Sequence, residues 1–377
     1  MARANGRANG KSASGNGGKK AINLALQGGG SHGAFSWGVL DRLLEDDRLE
    51  IEAVTGASAG AMNAVALAAG YQEGGKEGAR ALLRMFWETV VAEGRASPFR
   101  RSLLETMLSG WNLDTSPLYV MWDLVSRVAS PYDINPFNLN PLRDVLEAVV
   151  DFGKLRESPV RVFVSATSVE TGRARVWDER EISLDHVLAS ACLPWIFQAV
   201  VIDGAPYWDG GFTGNPALWP LFDNCVTDDV VLVQINPIVR PGIPTNARDI
   251  IDRINEITFN ASLLRDLRAV DFVARLIEDG RLHGTGYRHV LMHMIDDEQS
   301  LAALGASSKF NVELEFISML FDKGRAAADS WLSKNFRHVG VKETVNLRRM
   351  FQGEEDSLDG QRLMRPSKAN AGDVKGG

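Results

Sequence analysis

Apolar positions along the chain fall into short runs and helical spacings that alternate in a regular way. Residues 21–26 (Ala-Ile-Asn-Leu-Ala-Leu) form a brief, nearly continuous apolar run, as a buried strand does. Phe35, Val39, Leu40, Leu43 and Leu44 then recur at three- and four-residue steps and predict a helix over 34–45. A second apolar run at 51–55 predicts a strand, the alanine-rich stretch 61–69 a helix, and 75–93 a further helix. Strand, loop, helix, strand, turn, helix is the opening of an α/β sheet protein.

Further strands are expected at 160–166, with a turn at Glu170-Thr171-Gly172, at 230–235, stopped by Asn236-Pro237, and at 289–295. Helices are expected at 184–191, ended by Pro194, at 246–278, with room for one break, and at 310–331. Residues 95–140 are less regular and rich in large apolar side chains, among them Phe99, Trp111, Tyr119 and Trp122. They suit an acyl-chain groove, a mobile lid, a membrane-contact surface or ordinary packing over the sheet. No repeat and no linker divides the chain. The expected organisation is a disordered basic tail at 1–20, a core at 21–225, a continuation of the same domain at 226–341, and a polar, largely disordered tail at 342–377.

With 377 residues, 45% of them apolar, the chain can build a substantial core. A net charge of −7 argues against nucleic-acid binding. The excess is uneven, because residues 1–20 carry Arg3, Arg7, Lys11, Lys19 and Lys20 and no acid. That tail reads as a solubilising leader or as an electrostatic tether to anionic lipid. Two cysteines, Cys192 and Cys225, cannot make a disulfide framework, which favours a reducing, cytoplasmic setting. No secretory signal and no span of about 18 apolar residues is visible. Contact with a membrane surface stays open, and so does the oligomeric state.

Three segments carry candidate chemistry. Gly56-Ala57-Ser58-Ala59-Gly60 reads G-x-S-x-G, between a predicted strand and a predicted helix. Glycines at 56 and 60 permit a crowded turn that projects the Ser58 hydroxyl, and the helix that follows aims its positive end at it. Gly28-Gly29-Gly30-Ser31-His32-Gly33 follows the first strand. As G-x-G-x-x-G it fits a dinucleotide loop, but no acid closes the second strand, since Glu50 and Glu52 lie at its start. The alternative is an oxyanion hole of converging backbone N–H groups from Gly28, Gly29, Gly30 and Ser31. Asp209, in Tyr207-Trp208-Asp209-Gly210-Gly211, is either an Asp-Gly turn or a base whose pKa burial beside Trp208 and Phe212 would raise.

In these motifs the sequence resembles the patatin-like phospholipase family over about residues 21–225. The likeness rests on the loop at Gly28–Gly33, the elbow at Gly56–Gly60, the segment Asp209-Gly210-Gly211, and the surroundings Ala189–Pro194, Phe197 and Asn215-Pro216. It implies a three-layer α/β/α fold with a mostly parallel central sheet. It also implies a Ser58–Asp209 dyad cleaving lipid esters, with no cofactor and no metal. The family more often has Arg or Lys where this chain has His32, which would weaken any contact of that position with an anionic head group.

Rival readings are a Ser-His-Asp esterase, whose histidine would be His283, His289, His293 or His338, an intracellular polyester depolymerase, and a lipid-binding protein without catalysis. His186, on a short helix, reads as ordinary. A metal site is not indicated, because His289 and His293 fall on a predicted strand and no H-E-x-x-H occurs.

Overall fold

The first apolar run becomes the central strand of a sheet covered on both faces. In the computed structural model, which describes residues 18–95, 111–114, 116, 120, 121, 124, 125 and 128–353, eight strands form one sheet. They are β1 (Lys20–Leu26), β2 (Leu49–Gly56), β3 (Arg161–Ser168), β4 (Ala174–Asp178), β5 (Val200–Ile202), β6 (Ala205–Asp209), β7 (Asp229–Val233) and β8 (Leu291–Ile295). The order is β5-β6-β3-β2-β1-β7-β8, with β4 pairing β3 off this path. Strands β3, β2, β1, β7 and β8 run parallel, and β4, β5 and β6 add antiparallel pairs at one side.

The principal helices are α1 (Gly33–Glu45), α2 (Ala59–Gly94), α3 (Pro141–Val149), α4 (Leu184–Ser190), α5 (Ala247–Glu278), α6 (Leu314–Asn335) and α7 (Leu347–Gln352). Side chains alternate across the sheet. Ile22, Leu24, Leu26, Val162, Val164, Val231 and Val233 join a core with Phe35 and Leu40 of α1, Val65 of α2 and Phe316 and Leu320 of α6. Ala25, Phe163, Val230, Leu232 and Met292 join a second core with Leu263 and Leu267 of α5 and Leu347 of α7. Both faces are apolar because both are buried, which is why the strands read as runs rather than as alternation. The result is the expected three-layer α/β/α fold around a mostly parallel sheet.

The chain turns to one side after β1 to build β2 and β3, and to the other to build β7 and β8. Strand ends on either side of such a reversal leave a crevice, the usual ligand position in open α/β sheets.

Several expectations are corrected. Lys20, counted with the basic tail, lies in β1, and its ammonium donates to the carbonyls of Phe336, Arg337 and Val339 at 2.8–3.2 Å, capping the end of α6. The helices at 61–69 and 75–93 are one run bent at the non-helical Gly74 and Gly75. The long helix α5 is unbroken. The expected last helix starts at Leu314, and a 3-10 turn, Ala306–Phe310, precedes it. Residues 342–353, expected in the polar tail, include α7, whose Leu347 is buried. Expectations for residues 1–17 and 354–377, and for most of 95–127, lie outside the described residues. Of the latter stretch, Trp111 packs on Phe316 with ring centroids 5.3 Å apart. Among the described residues no helix is long and apolar enough to cross a membrane.

Candidate active site

Ser58 occupies a strained corner. Strand β2 ends at Gly56 and α2 begins at Ala59, leaving Ser58 at φ 54°, ψ −124°, a region that side chains rarely adopt. Such a conformation costs about 1–3 kcal/mol and persists only where neighbours enforce it. Its N–H is shared between the carbonyl of Ser190 (3.1 Å) and the Ser190 hydroxyl (3.0 Å), at the end of α4. Its carbonyl starts α2 by accepting from Met62 N–H at 3.1 Å. A side chain at Gly60 would run into the Leu26 carbonyl, and one at Gly56 into the Gly60 backbone, so both motif glycines are space requirements.

The glycine loop packs directly on this corner. A Cβ on Gly28 would lie 2.7 Å from that of Ser58. The Gly28 N–H, however, donates to Asn215 Oδ1 at 2.6 Å, and its carbonyl accepts from Asn236 Nδ2 at 2.7 Å. Gly28 is therefore removed from the expected set of oxyanion donors, because its proton is spent on Asn215. The N–H groups of Gly29, Gly30 and Ser31 find no partner among the described residues, and all three residues line the cavity in front of Ser58. Gly30 has φ +57° and abuts the Lys309 backbone.

His32 does not face the cavity. It is 3% exposed, with Nε2 2.7 Å from the Ser308 hydroxyl and its ring edge-on to Phe316. Burial, then the charges of Lys309 and Arg240, push its pKa well below the usual imidazole value, so it is neutral at pH 7. Head-group contact at this position is thereby ruled out. Gly33 starts α1 where a Cβ would sit 2.7 Å from that of Ala59, which lets α1 and α2 begin side by side.

Asp209 ends β6, opposite Ala166 of β3. Its N–H donates to the Cys192 carbonyl (2.8 Å), its carbonyl accepts from the Thr167 hydroxyl (2.8 Å), and Oδ1 accepts from Gly211 N–H (2.7 Å). The two glycines after it are packing requirements, Gly210 against the Ser165 carbonyl and Gly211 against the Phe259 ring. The carboxyl is 1% exposed, and Oδ2 has no hydrogen bond. Burial raises its pKa to about 7, against the opposing pull of the Gly211 N–H, the Ser58 hydroxyl and the Lys309 charge. Ser58 thus stands near enough to favour the carboxylate, but short of a well-formed hydrogen bond, a looseness common in unliganded acid–base pairs.

Ser58, Asp209 and the loop open on one cavity of about 530 Å³, walled by apolar residues such as Phe86, Trp87, Leu193, Trp195, Phe197 and Phe310. None of the six histidines lines it. His293, the best buried, bonds Asp229 and Thr344 at 2.9 Å each, and His186 bonds Ser183 of its own helix cap at 2.8 Å. Among the described residues no group of three metal-ligating side chains occurs. Ser190 and Asn215 lie in segments that the sequence marks beside the motifs, whereas nothing in the sequence points Asn236 or Lys309 to the site; both are brought in by tertiary structure alone.

The fold and cavity define a three-layer α/β protein in which an elbow serine, a buried carboxyl and a lipid-sized apolar chamber meet. The chain belongs to the patatin-like phospholipase family, whose model matches residues 24–222, just over half its length. Membership supports lipid acyl hydrolase activity in general. No curated protein matches the chain. Among solved structures it is similar to VipD from Legionella pneumophila, at 15% identity over 84% of this chain and 67% of that one, with a TM-score of 0.37, a likeness too slight to argue from.

Proposed function

We propose that the protein is a serine lipid acyl hydrolase that works through a Ser58–Asp209 dyad. The observation that carries this is the buried Asp209 carboxyl, with its pKa raised to about 7, beside a serine held at a strained turn. A carboxyl at its ordinary value near 4 is a weak base, and one near 7 is matched to neutral pH. Ser58 Oγ attacks the ester carbonyl as Asp209 takes its proton. The oxyanion settles against the N–H groups of Gly29, Gly30 and Ser31. Collapse expels the alcohol, which takes the proton from Asp209, and leaves Ser58 acylated. Water then attacks the acyl-enzyme as Asp209 accepts its proton; the bond from the acyl carbon to Ser58 Oγ breaks, Oγ takes that proton from Asp209, and the fatty acid leaves. The reading needs no cofactor and no metal.

The apolar chamber suits the acyl chain. Ile251 lines the cavity, while Ile250, Ile254 and Ile257 stand exposed on the same helix, and a lipid surface against that helix would cover them. Two buried free thiols favour a cytoplasmic location.

The test is turnover of p-nitrophenyl esters of graded chain length. Activity should rise with chain length and fall at least about a thousandfold in Ser58→Ala and Asp209→Asn, with both variants folded. Mutant rates within a few-fold of wild type would sink the dyad. Loss of activity in a single histidine variant instead would restore the Ser-His-Asp reading. Failure of Ser58 to label with a fluorophosphonate would favour a lipid binder without catalysis.

A further inference from the structure

Among the described residues that line the apolar chamber one is a cation, and it comes from beyond the segment that the family model matches. Lys309 lies in the 3-10 turn Ala306–Phe310 and lines the cavity together with Gly29, Gly30, Ser58 and Asp209. Its Nζ donates to Asn236 Oδ1 at 2.9 Å, and Asn236 in turn holds the Gly28 carbonyl. An ammonium has three protons. Among the described residues no carboxylate lies within ion-pair distance of this one, and Asn236 is its only hydrogen-bond partner. Nearby Glu256 is already clamped by Arg240 at 2.6 Å and Arg253 at 3.2 Å. Burial lowers the Lys309 pKa, and the charges of Glu256, Asp252 and Asp209, which line the same cavity, work against that.

A lysine kept in this position without a carboxylate partner is costly unless something pays it back. Cavity chemistry narrows what that is. The acyl chain has the apolar wall, and the oxyanion has the loop N–H groups, so the ammonium is left for a negative charge elsewhere on the substrate. Building on the dyad reading above, we propose that Lys309 is the specificity-determining residue of this site, and that it binds the phosphodiester of a glycerophospholipid so that phospholipids are taken in preference to neutral glycerides. The Asn236 bridge fixes the distance between that charge and the glycine loop, and so between the phosphate and the ester that is cut.

Binding tests this apart from catalysis. In the full chain with Ser58→Ala, which leaves the lipid uncut, Trp87 and Trp195 fluorescence would report titration with monomeric dihexanoylphosphatidylcholine and with dihexanoylglycerol. Adding Lys309→Met should weaken phospholipid binding about tenfold or more and diglyceride binding less than twofold, since a charge-assisted hydrogen bond is lost for one ligand only. Lys309→Arg should keep most of the phospholipid affinity. Equal weakening for both lipids would make Lys309 a support for the loop, and no weakening for either would make it irrelevant to binding; each overturns the proposal. So would loss of octanoate binding in Lys309→Met with phospholipid binding intact, which would assign the lysine to the released carboxylate. None of these outcomes depends on whether Ser58 and Asp209 form the dyad, which the turnover of their variants decides separately.

Discussion

At the scale of single residues, Asp209 joins function to instability. Its carboxyl binds a proton in the folded protein up to about pH 7, and in the unfolded chain only up to about pH 4. Between those values the folded state holds the extra proton, so its stability falls as pH rises through the window and levels off above it. In the dyad proposed above activity runs the other way, since Asp209 would accept a proton only when deprotonated. kcat/KM for a soluble ester should therefore rise about tenfold per pH unit up to about 7 and then flatten, and a profile already flat at pH 5 would contradict the dyad. Asp209→Asn removes the buried charge. It should be inactive, yet melt higher than wild type at pH 8 by the equivalent of a few kcal/mol, with the gain gone at pH 4. Thermal melts at the two pH values read this directly. Of these residues, Ser58 and Asp209 were legible because glycines crowd around each of them in the sequence. The protonation of Asp209 was legible only as an expectation from its aromatic neighbours. Lys309 was not legible, since a lysine in a polar loop has no periodicity that betrays where its chain folds.

Among elements, the sequence pattern found those with long apolar faces and missed those held by pairing alone. β1, β2, β3, β7 and β8 are buried on both sides and stand out as runs. β6 is five residues long, contains Pro206, and is only partly buried before Asp209, so nothing in its composition marks it. Its place is set by its pairing with β3, which brings Asp209 opposite Ala166. Helix packing hides a second kind of signal in glycine. α1 and α6 cross so closely that a Cβ on Gly38 would meet the Phe321 carbonyl, and one on Gly324 the Phe35 carbonyl. Neither glycine has a positive φ; each is there to let backbones touch. Gly38→Val should force the helices apart and cost about 2–3 kcal/mol, seen as a lower urea midpoint, because overpacking a close contact strains both backbones. An unchanged midpoint would mean that the crossing yields readily.

For the whole molecule, the part beyond residue 222 lines the cavity together with the part the family model matches. α6 covers α1, the 3-10 turn before it delivers Lys309, and α5 forms a wall of the cavity with Ile251, Asn255 and Phe259. We propose on this ground that residues 21–341 act as one domain rather than as a core with an appendage. α5 also shapes how the molecule would meet its substrate. Ile250, Ile254 and Ile257 recur at four- and three-residue steps, and all are more than 40% exposed. A stripe of that spacing is one helix face. They stand exposed on the helix that lines the apolar chamber through Ile251, and the lipid surface proposed above would cover them. Replacing Ile250 and Ile254 together by Asp leaves the chamber lining untouched but adds charge to that face. Hydrolysis of phospholipid in vesicles should then fall about tenfold or more, while hydrolysis of a short, fully dissolved ester stays within about twofold, since only the first reaction needs the face to enter an interface. Equal losses on both substrates would mean that the helix serves the chamber itself and that no lipid surface docks there.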